Sequence, residues 1–287
     1  MHYHEGTENL ITVFGVLFVV ALLAYWWLAR RNVVRVGYDG SHMDLLLPLC
    51  VVGGIAGGLF LSFLMPADRQ LAGEMLQVDS RVRLFGLVVS GAVVVYLYSR
   101  ATRLSFRTLL DTLALPTLVA LAIHRFGCYL AGCCWGDISV IDPWLSNMAA
   151  TDVGQQVQTL PWLAGEWVIT AVTYGPGTFP FQQQVALGLI DAGATQSLPV
   201  HPVQLYEAAL LVVFVAIFWR TPLPGKKPGS LALVTILGYA VIRFVMEYLR
   251  ADGNIVAGFH TATQLQCIVL IALTSAALRF QTRRGAA

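Results

Sequence analysis

Seven apolar stretches, each roughly as long as a bilayer core requires, limit what this chain can fold into. They run approximately Leu10–Ala29, Met43–Met65, Val82–Tyr98, Leu109–Ile123, Val203–Trp219, Ser230–Leu249 and Thr261–Leu278. Hydrocarbon offers no partner to an unpaired backbone N–H or C=O, so each stretch must be helical. The fourth is short and contains Pro116, which a packed membrane helix tolerates. Tyr25, Trp26, Trp27, Trp219 and Tyr248 fall near the expected ends, where amphipathic rings favour the interface. Only 12% of residues are charged, against about 25% in a soluble domain. A net charge of +2 leaves no basic footprint for nucleic acid. The expectation is an all-α polytopic membrane protein with about seven transmembrane helices, a single domain over residues 1–287.

Basic residues orient such a bundle. Of the 18 Lys and Arg residues, most fall in four clusters: Arg30, Arg31 and Arg35; Arg100, Arg103 and Arg107; Arg220, Lys226 and Lys227; Arg279, Arg283 and Arg284. Seven spans with an external N-terminus put all four clusters on the cytoplasmic side. Arg69, Arg81, Arg83 and Arg250 then lie in external connections. The opening MHYHEGTEN is acidic and lacks the basic start of a signal peptide, so the first span is expected to be retained. Between Arg125 and Arg220 there is no Lys or Arg. Residues 137–200, rich in Gln, Gly, Pro and Trp, read as a small extracytoplasmic cap. Within it, WVITAVTY and TFPFQQQVALGLI around Gly175-Pro176-Gly177 are expected to pair as a hairpin.

Ionisable groups inside spans are costly and mark candidate sites. YAVIRFVMEYLR puts Tyr239, Arg243, Glu247 and Arg250 on one helical face, by their i, i+4, i+8 and i+11 spacing. Arg243 and Glu247 read either as a functional pair or as a self-neutralising brace. HPVQLYEAALL sets His201, Gln204 and Glu207 at the start of the fifth span, where an acid also suits the helix dipole. Arg125 closes the fourth span on the side of Glu247, Arg250 and His201. Its readings are a phosphate ligand, which the planar guanidinium fork suits, or a side chain snorkelling to the interface. Together these groups suggest an anionic head-group site.

HRFGCYLAGCCWG, residues 124–136, also crowds Cys128, Cys133 and Cys134 beside Arg125. On an oxidising side these read as a disulfide of Cys128 with Cys133 or Cys134, as inert thiols, or as reactive ones. The C-x4-CC spacing matches no zinc pattern, so no metal is expected. Cys50 and Cys267 lie in apolar spans and read as small core residues.

These motifs resemble the prolipoprotein diacylglyceryl transferase family. HPVQLYE looks like its H-P-x-Q-L-Y-E, and Tyr239, Arg243, Glu247 and Arg250 look like its Y-x3-R-x3-E-x2-R helix. Arg125-Phe-Gly-Cys128 with Gly132 and Gly136 is similar to its G-R-x-G-N-x2-N-G-E-x2-G signature. Against that signature His124 replaces a glycine, Cys128 and Ala131 replace asparagines, and Cys133 replaces the glutamate. A histidine of the family's Y-H-G-G-L is missing from Arg83-Leu-Phe-Gly86-Leu87, and GGIAGGLF lacks the arginine that usually follows it. The resemblance implies transfer of a diacylglyceryl group from phosphatidylglycerol to a lipoprotein-precursor thiol in the bacterial plasma membrane, without a cofactor. It implies catalytic roles for Arg125, Arg243, Glu247, Tyr239 and His201; for the base the sequence itself offers His201 or His124. Arg125, Arg243, Arg250, Gln204 and Glu207 would hold lipid. A same-lineage transferase with another acceptor or lipid stays open, as does a non-catalytic lipid-binding or assembly protein with a redox-sensitive cysteine cluster.

Overall fold

The structure is a computed structural model that describes residues 7–64, 80–136, 138, 172–223, 227–250 and 261–284. Among them are eight helices: α1 Thr7–Arg35, α2 Ser41–Leu64, α3 Ser80–Thr102, α4 Phe106–Leu130, α5 Phe179–Ala186, α6 Val203–Phe218, α7 Ser230–Glu247 and α8 Ala262–Arg284. Each of the seven expected spans coincides with a helix. Five helices (α1, α2, α4, α7 and α8) are long and apolar enough to cross a membrane, and α6 is a shorter apolar helix. Large apolar side chains face outward along them, including Phe18 and Leu23 of α1, Phe60 and Phe63 of α2, and Leu273 of α8. A water-soluble protein does not display so much apolar surface. The protein is a polytopic membrane protein.

The described residues group into two compact units. One draws on Tyr25–Pro116 and Thr221–Ala232. In it α2 packs against α3, around a core of Ala29, Val33, Met43, Leu46, Val95, Tyr98, Leu109 and Leu113. Asp111 is fully buried there. Its carboxylate accepts the backbone N–H groups of Gly229 (2.7 Å) and Ala232 (2.8 Å). A carboxylate at a helix N-terminus satisfies orphan donors and complements the dipole, so Asp111 caps α7 from a distant part of the sequence.

The other unit draws on Met1–Ala24, Thr117–Arg220 and Leu233–Ala287 and holds the candidate site. Here α4 runs past the expected end at Ile123 through Arg125 and Cys128 to Leu130. It stops where Gly132 takes a left-handed φ of 64°. Gly132 N–H then bonds Tyr129 C=O, and Cys133 N–H bonds Cys128 C=O, a Schellman closure that glycine permits.

The expected hairpin is corrected. Its first strand lies largely outside the described residues, and its second, TFPFQQQVALGLI, contains helix α5. Pro180 fits the first helical turn, and Phe181 and Gln184, three apart, are buried on one face. Gln184 Oε1 accepts the N–H of Leu198 at 2.7 Å. Val172 pairs with Val200 instead, by reciprocal backbone bonds of 3.1 and 3.0 Å. Of the expected cap, residues 172–200 and Ile138 are described, and 137 and 139–171 lie outside the described residues.

Candidate functional site

Three helices bring the charged side chains together. Arg125 of α4 meets Glu207 of α6, Nε to Oε2 at 2.9 Å, with the carboxylate 1% exposed and the guanidinium 11%. Tyr239 of α7 is half-buried, with a hydrogen bond to Arg125 and with Glu207 and Arg243 in its electrostatic surroundings. One turn on, Arg243 Nη2 lies 2.8 Å from Glu247 Oε2, again with the carboxylate 1% exposed. Arg250 Nε stands 4.0 Å from the same oxygen. Each site arginine is thus held by a buried carboxylate, Arg125 by Glu207 and Arg243 and Arg250 by Glu247. Among the described residues, Arg243 Nη1 and Glu207 Oε1 are buried without a hydrogen-bond partner. A buried donor of this kind is costly unless something else meets it.

Thr261 escaped the sequence reading. Its hydroxyl donates to Glu247 Oε1 at 3.0 Å, orienting the acid beneath Arg243. Thr261 N–H bonds Gln264 Oε1 (3.0 Å) and Gln264 N–H bonds Thr261 Oγ1 (3.2 Å). This is a capping box at the start of α8, and its signal, T-x-x-Q before an apolar run, stands in TATQLQCIVL.

Gln204 is buried, and its Nε2 donates to the Cys133 carbonyl at 2.6 Å. Gly136 N–H bonds the His201 carbonyl at 2.9 Å, and Gly136 bridges to Arg250. A Cβ on Gly136 would sit 2.5 Å from His201 O and 2.6 Å from Leu249 O, so only glycine lets these segments approach. The loop from Ala131 to Gly136 is thereby tied to the start of α6 and the end of α7. His201 contributes this carbonyl, while its ring lies against Tyr206, Nδ1 to hydroxyl at 3.5 Å. Burial holds its imidazole below the usual value.

Of the readings open for Cys128, Cys133 and Cys134, the structure has the one with free thiols and not the disulfide. They converge, their sulfur atoms all within 4.8 Å of one another. Cys134 adopts a left-handed φ of 60°, sparsely populated for a residue with a side chain. Thiol contacts from Cys128 and Cys133, with Arg250 and Arg125 nearby, hold the Cys134 thiol well below its ordinary range. Cys128 Sγ also lies 3.6 Å from His124 Nε2, and Phe14 meets the His124 ring edge-on.

The prolipoprotein diacylglyceryl transferase family model matches residues 7–280. The chain belongs to this family. A phosphatidylglycerol–prolipoprotein diacylglyceryl transferase of Chromohalobacter salexigens is 26% identical over 281 residues, 94% of this chain and 88% of its own. One from Clostridium tetani is 22% identical over 249 residues, covering 84% of this chain and 82% of its own. Another from Methylococcus capsulatus is 24% identical over 275 residues, covering 90% and 86%. Diacylglyceryl transferases are membrane-embedded, in keeping with the apolar helices here.

Proposed function

We propose that this protein moves a diacylglyceryl group from phosphatidylglycerol to the thiol of a lipoprotein precursor, in a bacterial plasma membrane. The observation that carries the reading is the arginine pair. Arg125 and Arg243 are each clamped by a buried carboxylate, and Arg243 keeps a buried Nη1 without a hydrogen-bond partner among the described residues. Clamped guanidiniums are pre-organised for charge developing on a departing phosphate. In the reaction the acceptor thiolate attacks the glyceryl carbon. The carbon–oxygen bond to phosphate breaks, its electron pair leaves with glycerol phosphate, and a thioether forms. Glu207 and Glu247 position the two arginines, and Tyr239 donates to the head group. Arg250 and Gln204 line the approach, and His201, held neutral by burial, takes the thiol proton directly or through water. Residues 137–200 form the external cap, and seven helices, α1 to α4 and α6 to α8, cross the bilayer.

Reconstitution tests this. The full-length protein in phosphatidylglycerol proteoliposomes, given a synthetic lipobox peptide, should release glycerol phosphate and add a diacylglyceryl mass to the peptide cysteine. Arg243→Lys should cut the rate by at least about tenfold, because an ammonium cannot reproduce the fork. Phosphatidylglycerol binding without turnover, under conditions where an established family enzyme works, would instead assign a binding protein. Transfer to another thiol but not to the peptide would assign a different acceptor.

A further inference from the structure

The family reaction leaves three thiols unused. The C-x4-CC spacing gave no metal pattern, but the fold does what the spacing alone does not. The last turn of α4 supplies Cys128, and the Schellman closure at Gly132 turns the chain back so that Cys133 and Cys134 face it. Among the described residues, no other three Cys, His, Asp or Glu groups converge in this way.

We propose that Cys128, Cys133 and Cys134 form a binding site for a thiophilic d10 metal ion, Zn(II) or Cu(I). Two thiolates on one tetrahedral zinc stand about 3.8 Å apart, given a zinc–sulfur bond of about 2.3 Å. Sulfurs within 4.8 Å therefore need shifts of about 1 Å to close on an ion. His124 Nε2 lies 3.6 Å from Cys128 Sγ but outside the set of converging ligand atoms, so it becomes the fourth donor for tetrahedral Zn(II) by moving toward Cys133 and Cys134. Three sulfurs alone suffice for trigonal Cu(I), and soft thiolates select such ions. Three thiolates leave a net negative site with either ion. Arg125 and Arg250 are the cations beside Cys134 that offset it.

Binding involves no electron transfer. The ion enters as Zn(II) or Cu(I), metal–sulfur bonds form, and the thiol protons pass to solvent. The Cys134 backbone also fits the proposal, since its left-handed φ is an unfavourable conformation that aims a third sulfur at the other two. The loop that carries Cys133 and Cys134 is tied by Gln204 and Gly136 to α6 and to the end of α7. A bound ion would lock it over Arg125.

The proposal does not depend on the transferase reading, because its test reads metal and not activity. The reduced, metal-stripped full-length protein in detergent is titrated with Zn(II) against a chromophoric chelator, and anaerobically with Cu(I) against a Cu(I) chelator. One equivalent of at least one ion should bind. In the unmutated protein that ion should protect three thiols from alkylation, read by intact mass. Cys133→Ser should weaken binding by on the order of 100-fold, and Cys50→Ser should not change it. His124→Ala should weaken Zn(II) by about tenfold or more and spare Cu(I); unchanged Zn(II) affinity there overturns the imidazole as fourth donor. Equal alkylation with and without either ion, or undiminished binding in folded Cys133→Ser, overturns the site.

Discussion

Glu207 and Glu247 are buried carboxylates, and each neutralises an arginine. Removing one partner of such a pair leaves an uncompensated buried charge, costing about 3–5 kcal/mol. Glu207→Gln should therefore lower the thermal midpoint in detergent sharply, and more than Arg125→Met, because the carboxylate left by Arg125→Met can take up a proton and neutralise, whereas the guanidinium left by Glu207→Gln stays charged. A smaller loss in Glu207→Gln than in Arg125→Met would mean the pair is not a buried ion pair. His201 gives a pH signature. Its imidazole is held below the usual 6.5 by burial, so the unfolded chain binds the proton more readily. The stability it contributes is complete above that value and is lost as pH falls below it. Comparing the protein with His201→Gln at about pH 5.5 and about pH 7.5 should show a difference that grows only at the lower pH. Most of these residues were legible from the sequence, because charge inside an apolar run is conspicuous. Their partners were less so. Arg125 and Glu207 are 82 positions apart in the chain, and no periodicity links residues on different helices.

Helix ends explain what the sequence disclosed about elements and what it hid. The long apolar runs mark α1, α2, α4, α7 and α8 directly. The run at the end of α4 was read too short because Arg125 and Gly127 resemble a terminus, whereas the true stop is the left-handed Gly132. The α5 segment was misread as a strand because its single helical turn of buried residues, Phe181 and Gln184, is too brief to declare a period. Asp111 looked like an ordinary acid near a span start, yet it caps α7 through Gly229 and Ala232. Asp111→Ala should cost about 0.5–2 kcal/mol, the range for a lost N-terminal cap, seen as a lower midpoint with the helical signal retained. Gly136→Ala belongs to the same scale. Its new methyl meets two carbonyl oxygens, and overpacking of that kind costs typically about 1–3 kcal/mol. A midpoint unchanged in Gly136→Ala would show that the loop is not seated against His201 and Leu249.

At the scale of the molecule, one helix decides the topology. Val203–Phe218 has 16 residues, about 24 Å of helix at 1.5 Å per residue, against a hydrocarbon core of about 30 Å. Taken alone it is too short to span. Local thinning of the bilayer and interfacial anchoring accommodate such mismatch at modest cost. Trp219, which continues the helical backbone as its C-cap, is suited to the interface. The charges argue the same way. If α6 crosses, Arg220 and Lys227 lie opposite residues 172–200, on the side of the other basic clusters. If it does not cross, they share the side of a 94-residue stretch, 126–219, that contains no Lys or Arg, and the basic residues are split between the two faces. The crossing is favoured because cytoplasmic loops collect Lys and Arg. Periplasmic-reporter fusions placed after Gly193 and after Pro222 bracket the helix. Activity at the first and silence at the second, with a silent C-terminal fusion, is the expected pattern. Activity at both positions would leave α6 on one side and reverse the orientation of α7 and α8.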